Sequence, residues 1–93
     1  MKYVVNTVWS HPNNIDWDRM KEGLEQLRDD EGSADEVTWY EIDPTTHGSV
    51  AVYNSQEKYE KYKSKLEEYR KDATDEIGAQ IINEFQGLVK ASI

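Results

Sequence analysis

The stretch Ser49–Ala73, SVAVYNSQEKYEKYKSKLEEYRKDA, decides the fold, because an alternating apolar run passes through a helix-start signal into a helical repeat. Val50 and Val52 point one way while Ser49, Ala51 and Tyr53 point the other, as successive side chains of a strand do. Asn54 reads as a helix cap, with Glu57 three positions later able to reach back to the cap's own N–H. Beyond it Tyr59, Tyr62, Leu66, Tyr69 and Ala73 recur every three or four residues and form one stripe along a helix. That stripe must face something, and the strand before it is the nearest surface.

The chain has 93 residues, enough for a single domain spanning 1–93. Such a domain buries only about 60 to 65% of its unfolded surface, so partner contacts would add useful stability. Without Cys there is neither a disulfide framework nor a thiolate site, and two His are too few for the common zinc patterns. The opening MKYVVNTVWSHP lacks the apolar core of a signal peptide, and no run is long enough to span a membrane, so a cytoplasmic setting is expected. A net charge of −8 argues against nucleic acid and anionic membrane as partners, since both reward basic patches. The excess is local: Met1–Gly48 holds eleven acids against four bases, and the remainder eight against seven.

Working outward, Lys2–Trp9 reads as a first strand with Tyr3, Val5, Thr7 and Trp9 on one face and Val4, Asn6 and Val8 on the other. His11-Pro12-Asn13-Asn14 has turn chemistry. A helix follows, capped by Asn14 or Asp16, with Trp17, Met20, Leu24 and Leu27 on one face; Gly23 inside it costs about 1 kcal/mol relative to Ala and suggests close packing. It stops at Gly32-Ser33. Glu36–Asp43 is a second strand, with Val37, Trp39 and Glu41 alternating against Thr38, Tyr40 and Ile42. Asp43–Gly48 reads as a hairpin loop with Pro44 presetting φ and Gly48 allowing the return. Gly78 breaks the long helix near Ile77, a last strand is expected over Glu84–Ser92, and Ala79–Asn83 fits either state.

The order βαββαβ is the ferredoxin-like arrangement, a four-stranded antiparallel sheet with two helices on one face. The first three strands carry apolar residues on both faces, so the face without helices is broadly apolar, and a second copy of the same sheet is its simplest cover. The expected assembly is a homodimer.

The element order, together with MKYVVNTVW, VAVYNSQEKYEKY and EFQGLVKAS, resembles the dimeric α/β-barrel superfamily over nearly the whole chain. The resemblance implies two ferredoxin-like sheets paired face to face, often with a pocket between sheet and helices or inside the barrel. Members include cofactor-independent monooxygenases of the antibiotic-biosynthesis type, haem-degrading enzymes, muconolactone isomerases and stress-responsive barrels. The haem-degrading branch implies an Asn on the first strand, a Trp at the end of the third and a His on the second helix. Asn6 matches the first, Tyr53 stands in place of the Trp, and no His lies between Asn54 and Ile93, so the haem reading lacks its iron anchor. No metal or organic cofactor is expected.

The candidate pocket residues are Asn6, Trp39, Tyr53 and His47. Asn6, flanked by Val4 and Val8, is a polar side chain on an apolar face and needs a partner, from the protein or from a ligand. His47 has a near-neutral pKa suited to acid–base work, although a lone loop His, like His11 beside Pro12, is ordinarily a solvated turn residue. Trp9, Trp39 and Tyr40 fit either an aromatic pocket or a packed dimer interface, the interface being the simpler reading. Six of the eleven basic residues fall between Lys58 and Lys71, where Glu57 with Lys61 and Glu67 with Lys71 are favourably ordered i,i+4 pairs, the mark of a solvated helix face. Two functions remain open: a homodimeric barrel that binds an apolar or aromatic small molecule, with or without cofactor-free conversion of it; or a non-catalytic assembly module. A pocket containing Asn6 and a Tyr or His would favour the first, and the deciding residues are expected on the sheet face away from the helices, Tyr53 among them.

Overall fold

The computed structural model covers residues 1–93 and contains β1 (Tyr3–Ser10), α1 (Trp17–Arg28), β2 (Glu36–Asp43), β3 (Thr46–Tyr53), α2 (Gln56–Ile77) and β4 (Gln80–Leu88). The strands form one antiparallel sheet in the order β2-β3-β1-β4, so the fold is ferredoxin-like, as the βαββαβ pattern predicts. Neither helix is long and apolar enough to cross a membrane.

Register places every side chain on one of two faces. Towards the helices stand Tyr53 and Tyr3; then Val37, Ala51, Val5 and Gln86; then Trp39, Ser49, Thr7 and Glu84; then Glu41, His47, Trp9 and Ile81. The opposite face carries Glu36, Val52, Val4 and Gly87, then Thr38, Val50, Asn6 and Phe85, then Tyr40, Gly48, Val8 and Asn83. On that open face Phe85 is 66% exposed.

The core is small and phenolic. Tyr3, Val5, Tyr53, Tyr59 and Tyr62 form its buried cluster, with Leu27, Ala34, Ala51 and Leu66 packed around it. Tyr59 stacks on Tyr3 at 5.2 Å between ring centroids and meets Tyr53 edge-on at 5.3 Å, geometries favoured by the ring quadrupole. A buried phenol needs a hydrogen-bond partner, and Gln86 serves two. It accepts from the Tyr3 hydroxyl at 3.0 Å and donates to that of Tyr59 at 3.0 Å.

The tyrosine stripe of α2 faces the sheet as its spacing requires, but the helix starts one residue later than expected. Ser55, not Asn54, is the cap, its hydroxyl accepting from the Lys58 N–H at 3.1 Å. The Asn54 N–H instead donates to Asp35 at 2.7 Å. Glu57 pairs with Lys61, whereas Glu67 and Lys71 do not meet. Three other cations of the run leave the helix: Lys58 reaches Asp35 at 2.8 Å, Lys65 reaches Asp30 at 2.9 Å, and Arg70 grips Glu84 through both guanidinium nitrogens. These contacts fasten α2 to the loop before β2 and to β4.

Gly78 ends α2 in the left-handed conformation at φ 70°, as expected. The last strand, in contrast, occupies Gln80–Leu88 rather than Glu84–Ser92. Its pairing with β1 slips between Val8 and Trp9, leaving Ile82 as an extra residue, so the bulge breaks the alternation that would have marked the segment.

The hairpin also differs. Asp43 accepts from the backbone N–H of Thr45 at 2.9 Å and from its hydroxyl at 3.3 Å, closing a turn of only Pro44 and Thr45. β3 therefore resumes at Thr46, and both His47 and Gly48 lie in the strand. Gly48 has a separate purpose: the ring of its cross-strand neighbour Tyr40 lies over it, within 2.1 Å of where a β-carbon would stand.

Helix α1 meets this core only through Leu27, near its end. Asp16 caps it, accepting from the Arg19 N–H at 3.2 Å, yet none of its residues is buried. A β-carbon at Gly23 would meet nothing within 4 Å, so this glycine does not serve close packing.

Candidate functional site

Because α1 holds off from the sheet, a cavity of about 760 Å³ lies between them, closed on the far side by α2. Val5, Thr7, Trp9, Trp39, His47, Ser49, Ala51 and Tyr53 make its floor; Met20, Gly23 and Leu27 of α1 and Tyr62, Leu66 and Ala73 of α2 make its walls. Asp16 and Arg19 from the start of α1, with Arg70, Asp72 and Glu76 from α2, place charge around it.

His47 is the centre of one end. The backbone N–H of His11 donates to Thr45 at 2.7 Å and that of Ile15 to Pro44 at 2.9 Å, which lays the 11–15 loop against the hairpin tip. His11 Nε2 thereby comes within 2.7 Å of His47 Nδ1, close enough for one shared proton. All three tryptophans of the chain surround the same imidazole. Trp9, its cross-strand partner, stacks nearly parallel at 6.0 Å; Trp39 is tilted at 5.7 Å; Trp17 is edge-on at 6.1 Å, its indole N–H donating to Glu41 at 3.1 Å.

This setting disfavours the imidazolium. Burial pushes the His47 pKa down to about 4, and the neighbouring His11 adds a smaller repulsion. Burial also lowers His11. Both rings are therefore neutral at pH 7. No third His, Asp or Glu joins them to complete a metal site.

The remaining candidate residues divide. Trp39, Tyr53 and His47 all reach the cavity, whereas Asn6 is on the other side of the sheet between Val50 and Phe85. Tyr53 belongs to the core rather than to the open face, 2% exposed, and burial raises its hydroxyl pKa to about 12. Trp9 and Trp39 line the cavity, so of the three aromatics read as interface only Tyr40 lies on the open face. His47 is a 4% exposed strand residue, not a solvated turn.

Reading the sequence alone passed over the pairing of His11 with His47, and also Trp17, Thr7 and Ser49. The signal was present in one place: extending the Val50/Val52 alternation backwards puts His47 and Ser49 on the face of Tyr53.

At the far end of α1, Asp30 gathers three donors from α2: Tyr62 at 2.7 Å, Lys65 at 2.9 Å and Tyr69 at 3.2 Å. The Tyr62 hydroxyl, followed by Lys65, holds its carboxyl below the ordinary range. The cluster is a clasp between the exit of α1 and α2.

This architecture is that of a ferredoxin-like domain with an internal cavity. A dimeric ferredoxin-like protein from an uncultured marine organism superposes with a TM-score of 0.71 at 11% identity, over 99% of this chain and 98% of that one. The protein YJCS, solved by structural genomics, superposes with a TM-score of 0.66 at 8% identity, over 97% of this chain and 100% of that one. No protein-family model and no curated protein matches the sequence. At these identities the likeness is one of fold.

Proposed function

We propose that the chain works as a homodimer, paired through the open faces of its sheets, in which each protomer binds a small apolar or aromatic molecule between sheet and helices. The cavity beside α1 carries the binding half of this reading. It has the size of a small-molecule site, apolar walls and a few polar groups at one end, the usual composition of such sites. The open face supports the pairing half. Val4, Val8, Val50, Val52, Tyr40 and Phe85 share it, and Asn6 in their midst has no side-chain partner within the protomer. The similar marine protein is described as dimeric, which agrees with this reading.

The two halves are tested separately. Light scattering at micromolar concentration is expected to return twice the 10.8 kDa chain mass, and Phe85→Lys, which places a charge on the open face, is expected to return a monomer. A monomeric wild type would overturn the pairing. A thermal-shift screen of quinones, fused-ring aromatics and lactones tests the cavity. A ligand at a hundred times its Kd adds about 2.7 kcal/mol, or roughly 10 °C or more for a domain of this size. No shift with any member of the screen would overturn the binding half.

A further inference from the structure

Apart from the Tyr53 phenol at the other end, the cavity's floor is polar at three neighbouring positions only. Ser49 pairs across the strands with Thr7, and His47 lies two residues before Ser49 on the same face. Thr7 Oγ1 already accepts the indole N–H of Trp9 at 3.0 Å, which leaves its own proton to donate. The hydroxyl of Ser49 and Nε2 of His47 have no partner in the protein, although these residues are only 8% and 4% exposed. No unpartnered side-chain polar atom in the chain is sealed from solvent, so both atoms open onto the cavity that their residues line. Two donors and one ring nitrogen therefore converge at the end walled by Trp9 and Trp39.

We infer that this end of the cavity recognises a planar aromatic ligand through one hydroxyl group. The hydroxyl donates to His47 Nε2 and accepts from Ser49 or Thr7, while the ring lies among the indoles; the inference rests on the binding reading above. A hydroxyl suits the site because it is both donor and acceptor, as the floor requires, whereas a carbonyl answers only the donors and an ether offers His47 nothing. His11 acts as a positioning residue. When His47 Nε2 accepts the ligand's hydrogen bond, the ring's proton is on Nδ1 and donates to His11 Nε2, 2.7 Å away, so His11 holds the tautomer in which Nε2 is an acceptor.

The test uses 2-naphthol, 2-methoxynaphthalene and 1,4-naphthoquinone, measured by calorimetry against the intact protein. Expected is binding of 2-naphthol about tenfold or more tighter than of 2-methoxynaphthalene, the effect of one hydrogen bond to a group that the methoxy ligand covers and leaves unpaired. In His47→Phe the preference is expected to vanish while 2-methoxynaphthalene still binds, which also reports that the cavity is intact. Should that variant fail to fold, Ser49→Ala gives an independent reading, with the preference expected to fall about threefold. On adding 2-naphthol, the side-chain ¹⁵N signals of both His47 and His11 are expected to move, and 2-methoxynaphthalene is expected to move neither. Equal affinity for naphthol and methoxynaphthalene would overturn the inference and leave the cavity reading standing, as would naphthoquinone binding as tightly as naphthol. Binding of none of the three would overturn both.

Discussion

Replacing His47 by Gln should remove most of the pH dependence of stability between pH 7.5 and 5. The reasoning follows from where the ring sits. An unfolded-chain His titrates near 6.5, whereas in the native protein burial among Trp9, Trp17 and Trp39 and the presence of His11 hold His47 down at about 4. Between these values the unfolded chain binds a proton that the native protein refuses, so stability rises with pH through this window and is complete above it. From pH 7.5 to 5 the loss is about 2 kcal/mol, taking about 1.4 kcal/mol for each pH unit below the unfolded pKa. His11, shifted the same way, adds to the slope. Glu41 on β2 is the cross-strand neighbour of His47, and its carboxylate accepts from the Trp17 indole N–H. Asp30, Asp35, Asp43 and Glu84 are all held below their ordinary values, so their stabilisation is lost only as the pH falls through and below the carboxylate range. Urea unfolding at half-unit steps of pH, on wild type and His47→Gln, measures the difference directly. A wild-type slope that survives the substitution unchanged would refute the account of His47 as a buried neutral ring.

Two glycines, one on each side of the sheet, should respond in opposite directions. Gly23→Ala adds a β-carbon where there is open space and improves helix propensity, so a gain of up to about 1 kcal/mol is expected in urea unfolding. Gly48→Ala drives a methyl group into the Tyr40 ring and should cost about 1 to 3 kcal/mol, recovered in part when Tyr40 is also cut to Ala.

How much of this was legible depended on whether the deciding partner was local. The alternation of Glu36–Asp43, the tyrosine stripe and the Gly78 stop are properties of a few neighbouring residues, and each was readable. The last strand was not, because its two central helix-facing positions are polar: Glu84 answers Arg70 and Gln86 answers two tyrosine hydroxyls, inverting the usual rule of apolar residues inwards. His47 was misread for a related reason. Pro44 through Gly48 has turn composition, but the Asp43 carboxylate closes the turn three residues earlier, and Gly48 answers to Tyr40 on the neighbouring strand. The cage itself draws on residues 9, 11, 17, 39 and 47, from four parts of the chain, and nothing local announces it.

Helix α1 buries none of its residues and is tied down chiefly at its ends, by Trp17 to Glu41 at one and by the Asp30 clasp just past the other. Between these ties its hydrogen bonds have little buried surface to protect them, so its amides exchange through a local opening far cheaper than global unfolding. The sheet with α2 and the segment carrying α1 are thus expected to exchange their amides as two units of unequal stability. The wall of the cavity can detach for exchange with solvent while its floor, where His47 and Ser49 lie, stays folded.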